Sequence, residues 1–328
     1  MLIRTSSSAT REQKEFLKRR LAGILPGARA RTVRGGLEVS GFRPASAADA
    51  APLLENIPGV AGTRLTQREL CPLVCAAGRA LPAKPLNFRK DFIFIAGPCA
   101  VEDEASYLAS AAALKAAGAH ALRAALFKPR SSPYAFQGVG FDGLKTIARA
   151  KKLTGLPLVT EITDTRQAQK LCAVCDVLQI GARNMRNYEL LKEAGRSGLP
   201  VLLKRAMRAT LGEWLLSAEY LLKYGTRNLV LCERGDAVLS SDSPGLDLAM
   251  LREAKRLTGL PVIADPSHST HDRGLAASLA LKAARAGADG LLIEASLSPQ
   301  TARVDGRQTL TARTFAKLAG AILCRQKQ

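Results

Sequence analysis

Aromatic side chains are scarce in this chain: nine Phe, five Tyr and one Trp among 328 residues. So few rings leave little surface on which nucleobases could stack, which argues against a single-stranded nucleic-acid binder. Acidic residues are also in short supply, 28 Asp and Glu against 48 Lys and Arg, a formal net charge of +20. A basic arm would concentrate that excess. Instead it is diffuse, with 14 basic and 6 acidic residues over 1–85 and 34 and 22 over the rest. No nucleic-acid partner is expected; a ligand carrying several negative charges accounts for part of the excess, and solvated surface for much of it. No apolar run approaches the roughly 18 residues of a membrane span. The opening stretch MLIRTSSSATREQKEFLKRR has no apolar segment before a small-residue cleavage site, so a cytoplasmic protein with no membrane partner is expected. Seven cysteines, an odd number, speak against a fully paired disulfide framework. The Cys172-x-x-Cys175 pair sits on a helical apolar pattern without further ligands and is expected to pack in the core.

Two rhythms divide the sequence. Residues 1–68 run strand (MLIRT), amphipathic helix (ATREQKEFLKRRLAGIL), hairpin turning at Gly35-Gly36, second helix (AADAAPLLENI) and closing strand (GVAGTRLT). That β-α-β-β-α-β order predicts a small ferredoxin-like α+β domain. Residues 69–87 are read as a linker. From there to residue 328 an apolar strand, a polar turn and an Ala/Leu/Lys-rich helix repeat. The strands predicted are FIFIAG, ALRAALF, PLVTEI, VLQIG, PVLLKR, LVLCERG, PVIADPS and GLLIEA. Their continuous rather than alternating apolar character fits strands buried on both faces. Eight such units predict an α/β fold, a (β/α)8 TIM barrel. The competing doubly wound sheet is disfavoured because no G-x-G-x-x-G follows the first strand.

Barrel chemistry gathers at the C-terminal ends of the strands. There the sequence places Cys99, Lys128 and Arg130, Glu161, Arg183, Lys204 and Arg205, Glu233 and Arg234, Asp265 and His268, and Glu294. Arg123, Lys128, Arg130, Arg183, Lys204 and Arg234 form a cationic set suited to phosphate or carboxylate. Cys99, His268 and Glu294 come from strands that adjoin when a barrel closes, and Asp305 follows on the next loop. A thiolate, an imidazole and two carboxylates suit one borderline divalent ion: Zn, Mn, Fe or Co. His271 is a rival ligand on a loop expected to face solvent, and His120 is read as closing a helix.

Most of these residues sit within IAGPCAVE, FKPRSSPYAFQG, LQIGARNMRNYELLKEAG, PVLLKRAMRATLGEWLLSAEYL, LVLCERG, PVIADPSHST and VDGRQTL. From residue 88 to about 315 the chain resembles the 3-deoxy-D-arabino-heptulosonate-7-phosphate (DAHP) synthases. Within them it is similar to the subgroup that carries an N-terminal ferredoxin-like domain, often a feedback sensor for an aromatic amino acid. The resemblance implies condensation of phosphoenolpyruvate with erythrose 4-phosphate at the head of the shikimate pathway, in aromatic amino acid biosynthesis. It implies one divalent metal held by Cys99, His268, Glu294 and Asp305. It places phosphoenolpyruvate on Arg123, Lys128, Arg183, Lys204 and Arg234, and erythrose 4-phosphate on Lys128, Pro129, Arg130 and Ser131. Cys99, Lys128 and His268 are the candidate catalytic residues, with Lys128 the proton donor to the aldehyde oxygen; Glu161 and Asp265 would orient ligands or water. The two substrates and further copies of the chain, as dimer or tetramer, are the expected partners.

The related 3-deoxy-manno-octulosonate-8-phosphate synthases carry an Ala-Asn-Arg-Ser-type stretch where this chain has Lys128-Pro129-Arg130-Ser131. They are the alternative reading, with a different phosphorylated aldose as acceptor. The chain departs from the family pattern after Glu294, where Ala295-Ser296-Leu297-Ser298-Pro299 replaces Glu-Val-His-Pro, and after LCERG, where DAVLSSDSPGLDL replaces a longer loop.

Overall fold

The computed structural model describes residues 1–78, 85–88, 90–236 and 245–326. Part of the expected linker, 79–84, and most of the divergent loop after Arg234, 237–244, lie outside the described residues. Two compact units emerge, Met1–Ala76 and Ala77–Gln328.

In the first unit four antiparallel strands, β1 (Leu2–Thr5), β2 (Arg29–Val33), β3 (Gly36–Ser40) and β4 (Val60–Arg64), lie in the order β2-β3-β1-β4. Helices Arg11–Ile24 and Ala47–Glu55 fill the two crossovers, which is the ferredoxin-like arrangement. The first helix starts at a reciprocal cap: Gln13 N–H donates to Thr10 Oγ1, and Thr10 N–H donates to the Gln13 side chain. Ile3, Leu17, Leu21, Leu37, Val39 and Leu54 form its core. The hairpin turns at Arg34-Gly35, not at Gly35-Gly36. Gly36 already pairs with Val33, and a Cβ there would sit 2.0 Å from the Ile3 carbonyl oxygen, so close strand approach explains that glycine. Residues 67–70 and 72–77, the latter within the expected linker, are helical.

The second unit is a closed barrel of eight parallel strands: β5 (Ile93–Gly97), β6 (Ala121–Arg123), β7 (Leu158–Ile162), β8 (Val177–Ile180), β9 (Val201–Lys204), β10 (Leu229–Glu233), β11 (Val262–Ala264) and β12 (Gly290–Ser296). Each pairs with the next in sequence, and β12 pairs with β5 to complete the ring. Ile95, Val159, Val177, Leu202, Val230, Ile263 and Leu292 pack together with Leu86 and Phe88. Helices return the chain between strands with clear stop signals. Leu144–Thr154 and Leu248–Thr258 both end in Thr-Gly-Leu-Pro, with Gly155 and Gly259 left-handed at φ 68° and 64°.

Three local expectations change. ALRAALF leaves the sheet after Arg123, and the chain then runs through a long loop to Gly140 that carries Lys128. His120 caps no helix. The preceding helix stops at Ala116, and the His120 ring accepts a hydrogen bond from the Phe94 N–H of β5 while stacking on the Phe94 ring. Ala295 and Ser296, in the divergent stretch after Glu294, continue β12 and pair with an unforeseen two-residue strand β13 (Leu310–Thr311). Cys175 is buried, Cys172 is half-buried, and the seven cysteines form no disulfide.

Candidate active site

Strand ends and the loops after them set out the site. Cys99 stands two residues beyond β5, Glu294 lies in β12, His268 is in the helical turn Ser267–Thr270 after β11, and Asp305 follows β12. One ligand atom from each falls within 4.8 Å of those of the other three. Cys99 Sγ lies 2.8 Å from Asp305 Oδ2 and 3.9 Å from His268 Nε2, and His268 Nε2 lies 3.0 Å from Glu294 Oε1.

The chemistry of this donor set fits a metal ion. His268 Nδ1 lies 2.7 Å from Asp265 Oδ2, and an ionised carboxylate only accepts, so the Nδ1 proton belongs in that bond. Nε2 then turns its lone pair toward Glu294, itself an acceptor, and the contact requires a shared proton or a cation. Burial would push both carboxyls up. For Glu294, His268, Arg123 and Lys128 overcome it; for Asp265, His268, Lys204 and Arg123 do so, holding each well below the usual carboxylate range. Burial pushes the Cys99 thiol well above its ordinary value, Glu294 adds to the effect, and Lys128 and Arg123 oppose it. A thiol in such surroundings stays protonated until a stronger cation takes the proton's place.

The cations take three positions. Arg123 is fully buried, with Nη1 2.7 Å from Glu294 Oε1 and Nη2 3.5 Å from Cys99 Sγ, while its buried Nε has no hydrogen-bond partner among the described residues. Lys128 Nζ sits 2.5 Å from Cys99 Sγ and 3.7 Å from Asp305. Burial works against its charge, yet Cys99, with Glu161 and Glu294, raises its pKa despite repulsion from Arg123. Arg130, Arg183, Lys204 and Arg234 line a cavity of about 430 Å³ together with Lys128, Pro129, Glu161, His268 and Asp305. Lys204 is anchored on Asp265 at 2.5 Å, Arg234 on the His268 carbonyl at 2.9 Å, and Arg183 on the Pro129 carbonyl at 3.2 Å. A second cavity of about 710 Å³ shares Lys128, Pro129 and Arg183 with the first.

Some strand-end residues do other work. Arg205 and Glu233 form a buried bidentate pair with contacts of 2.5 and 2.8 Å, so neither faces the ligand space. Ser131 is exposed and lines neither cavity. His271 lies outside the four-ligand group. Two residues were not anticipated: Arg186 lines the smaller cavity, and Gln308 donates to Glu294 Oε2 at 2.6 Å. Arg186 lay within the quoted LQIGARNMRNYELLKEAG and Gln308 within VDGRQTL. Nothing in those strings showed which way either side chain would turn.

The sequence model of the DAHP synthetase I family matches residues 89–323. A phospho-2-dehydro-3-deoxyheptonate aldolase from Thermotoga maritima is 39% identical over 228 residues, 69% of this chain and 68% of that protein. A 2-dehydro-3-deoxyphosphooctonate aldolase from Syntrophotalea carbinolica is 31% identical over 234 residues, covering 66% of this chain and 84% of its own length. The crystal structure of a Thermotoga maritima phospho-2-dehydro-3-deoxyheptonate aldolase (DAHP synthase) superposes with a TM-score of 0.82 at 29% identity, covering 99% of this chain and 97% of the other. A truncated 3-deoxy-D-arabino-heptulosonate 7-phosphate synthase from the same organism superposes at 0.67 and 35% identity, over 73% and 88%.

Proposed function

Because this chain belongs to the DAHP synthetase I family, we propose that it condenses phosphoenolpyruvate with erythrose 4-phosphate, giving DAHP and inorganic phosphate with the aid of one divalent metal ion. The observation that carries this reading is the convergence of a thiol, an imidazole and two carboxylates beneath a cation-lined cavity. Catalysis belongs to residues 77–328, with residues 1–76 an appended ferredoxin-like domain.

Cys99, His268, Glu294 and Asp305 would hold the ion, which when bound supplies Lewis acidity toward a carbonyl oxygen or a more acidic water. Asp265 keeps the His268 tautomer and fixes Lys204 at once. Lys204, Arg183 and Arg234 present positive charge to the phosphate and carboxylate of phosphoenolpyruvate, and Arg123 contributes its field from below. The larger cavity beyond Lys128-Pro129 gives the second phosphorylated substrate room on the same side, while Arg130 lines the smaller cavity and Ser131 lines neither. C3 of the enol attacks the aldehyde carbon of erythrose 4-phosphate, and Lys128 gives its proton to the aldehyde oxygen as the new C–C bond forms. Water adds at C2, losing a proton, and the C2–O bond to phosphate breaks. Lys128, kept charged beside Cys99, Glu161 and Glu294, is the acid with reach to both cavities.

Purified enzyme supplied with phosphoenolpyruvate, Mn²⁺ and a panel of phosphorylated aldoses should release phosphate with erythrose 4-phosphate. Release with arabinose 5-phosphate alone would move the chain to the octulosonate reaction named for the Syntrophotalea relative. Turnover that survives exhaustive chelation would remove the metal from the reading.

A further inference from the structure

His271 is one of three non-glycine residues held in the left-handed region among the described residues, at φ 53°. For a residue of its size that conformation is uncommon, and where it persists the surroundings hold it there. What holds this one is on the other side of its ring. His271 Nδ1 lies 2.9 Å from Gln308 Oε1, and the opposite end of the same amide, Nε2, donates to Glu294 Oε2 at 2.6 Å. Gln308 is 1% exposed, whereas His271 is exposed and lines the smaller cavity.

The polarity of this chain of bonds is forced from its buried end. The Glu294 carboxylate, ion-paired with the buried Arg123 guanidinium at 2.7 Å, only accepts, so Gln308 must turn its NH2 toward it. The amide oxygen then faces His271, and His271 Nδ1 must carry a proton and donate. Flipping the amide would set its oxygen against the carboxylate and lose that bond in a buried place, and His271 would have to move its ring proton to Nε2 to keep its own. His271 is thus the latch on an amide that has one useful orientation. Arg123 and His268 meet Glu294 through Oε1; among the described residues Gln308 alone takes Oε2. With Oε2 tied, the carboxylate has one free rotation fewer, and Oε1 stays aimed at the centre shared with Cys99, His268 and Asp305.

We propose that His271 and Gln308 are a positioning pair that orients the Glu294 carboxylate for the metal ion, His271 acting through Gln308 without touching the ion. This deepens the metal reading and rests on Glu294 being one of its ligands. Outer partners of this kind are typically worth about 10- to 100-fold in metal affinity.

Cobalt(II) is the probe, because its bond to Cys99 gives a thiolate charge-transfer band independent of turnover. Titration against a competing chelator should give a Kd raised about tenfold or more in Gln308→Leu, and by several-fold in His271→Gly. His271→Asn should recover most of the loss, since Asn tolerates left-handed backbone and its side-chain NH2 can donate to Gln308. Melting of the metal-free proteins provides the control. His271→Gly relieves the backbone constraint, so its metal-free Tm should stay within a few degrees of wild type while its Kd rises; a merely structural residue would lower the Tm and leave the Kd unchanged. Cobalt affinities equal to wild type in both Gln308→Leu and His271→Gly would overturn the positioning role while leaving the metal site intact. A wild-type chain with no thiolate band at saturating cobalt would instead overturn the metal reading and this inference with it.

Discussion

At the scale of single residues the site turns on Cys99. Its sulfur touches Lys128 and Asp305 and is buried deeply enough to keep its proton. Cys99→Ala should therefore abolish metal-dependent turnover and weaken metal binding by at least about 100-fold while far-UV circular dichroism remains native, since the side chain removed is small. The direction of the thiol shift gives a second expectation. A group with a raised pKa is protonated at neutral pH, so loading metal as a thiolate complex expels that proton. Affinity should climb with pH, by about tenfold per unit for a single released proton, between pH ~6.5 and ~8.5. Isothermal titration in buffers of different ionisation enthalpy would count the proton, and Cys99→Ala should flatten the slope. Residue types that advertise chemistry were legible at this scale. Cys99, His268, Glu294 and Asp305 stood out because few alternatives explain a thiol, an imidazole and two acids at strand ends. Gln308 did not stand out, because an amide has no charge and its value lies only in which atoms it faces. Arg205 and Glu233 carried charge in the right place, yet satisfied each other.

Elements were legible where apolar runs were long. The eight barrel strands were visible as uninterrupted Val, Ile and Leu because both faces of each are buried. Two-residue β13 left no pattern, and ALRAALF read as one strand because the loop after Arg123 keeps an apolar composition while wrapping Lys128 into the site. The sharpest element-level demand is at the end of β5. A Cβ at Gly97 would lie 2.4 Å from the Arg123 carbonyl oxygen of β6. Gly97→Ala should force the strands apart, destabilise by about 1–3 kcal/mol and shift Cys99 two residues on, read together as a lower Tm and a weaker cobalt band.

At the scale of the whole molecule the two units have separate cores and complete sheets. A chain beginning at residue 77 should fold by itself and keep kcat within about threefold of full length, measured by phosphate release. Unfolded, metal-free material from that truncation would show instead that the barrel depends on residues 1–76. The ferredoxin-like order was readable from element succession alone, because strand, helix and hairpin each left a local mark. The boundary was not, since the short helices over 67–77 carry the same Ala, Leu and Pro composition as a connection.

The pairing of β12 with β5 joins the last barrel strand to the first, and the four candidate ligands straddle that seam: Cys99 on one side, His268, Glu294 and Asp305 on the other. During synthesis no stretch of chain shorter than nearly the entire barrel holds the full set, so the nascent protein cannot sequester an ion prematurely. Once bound, the ion would act as a rivet across the last edge to meet. Its release should precede global unfolding, and loading should retard the opening of that edge more than of any other.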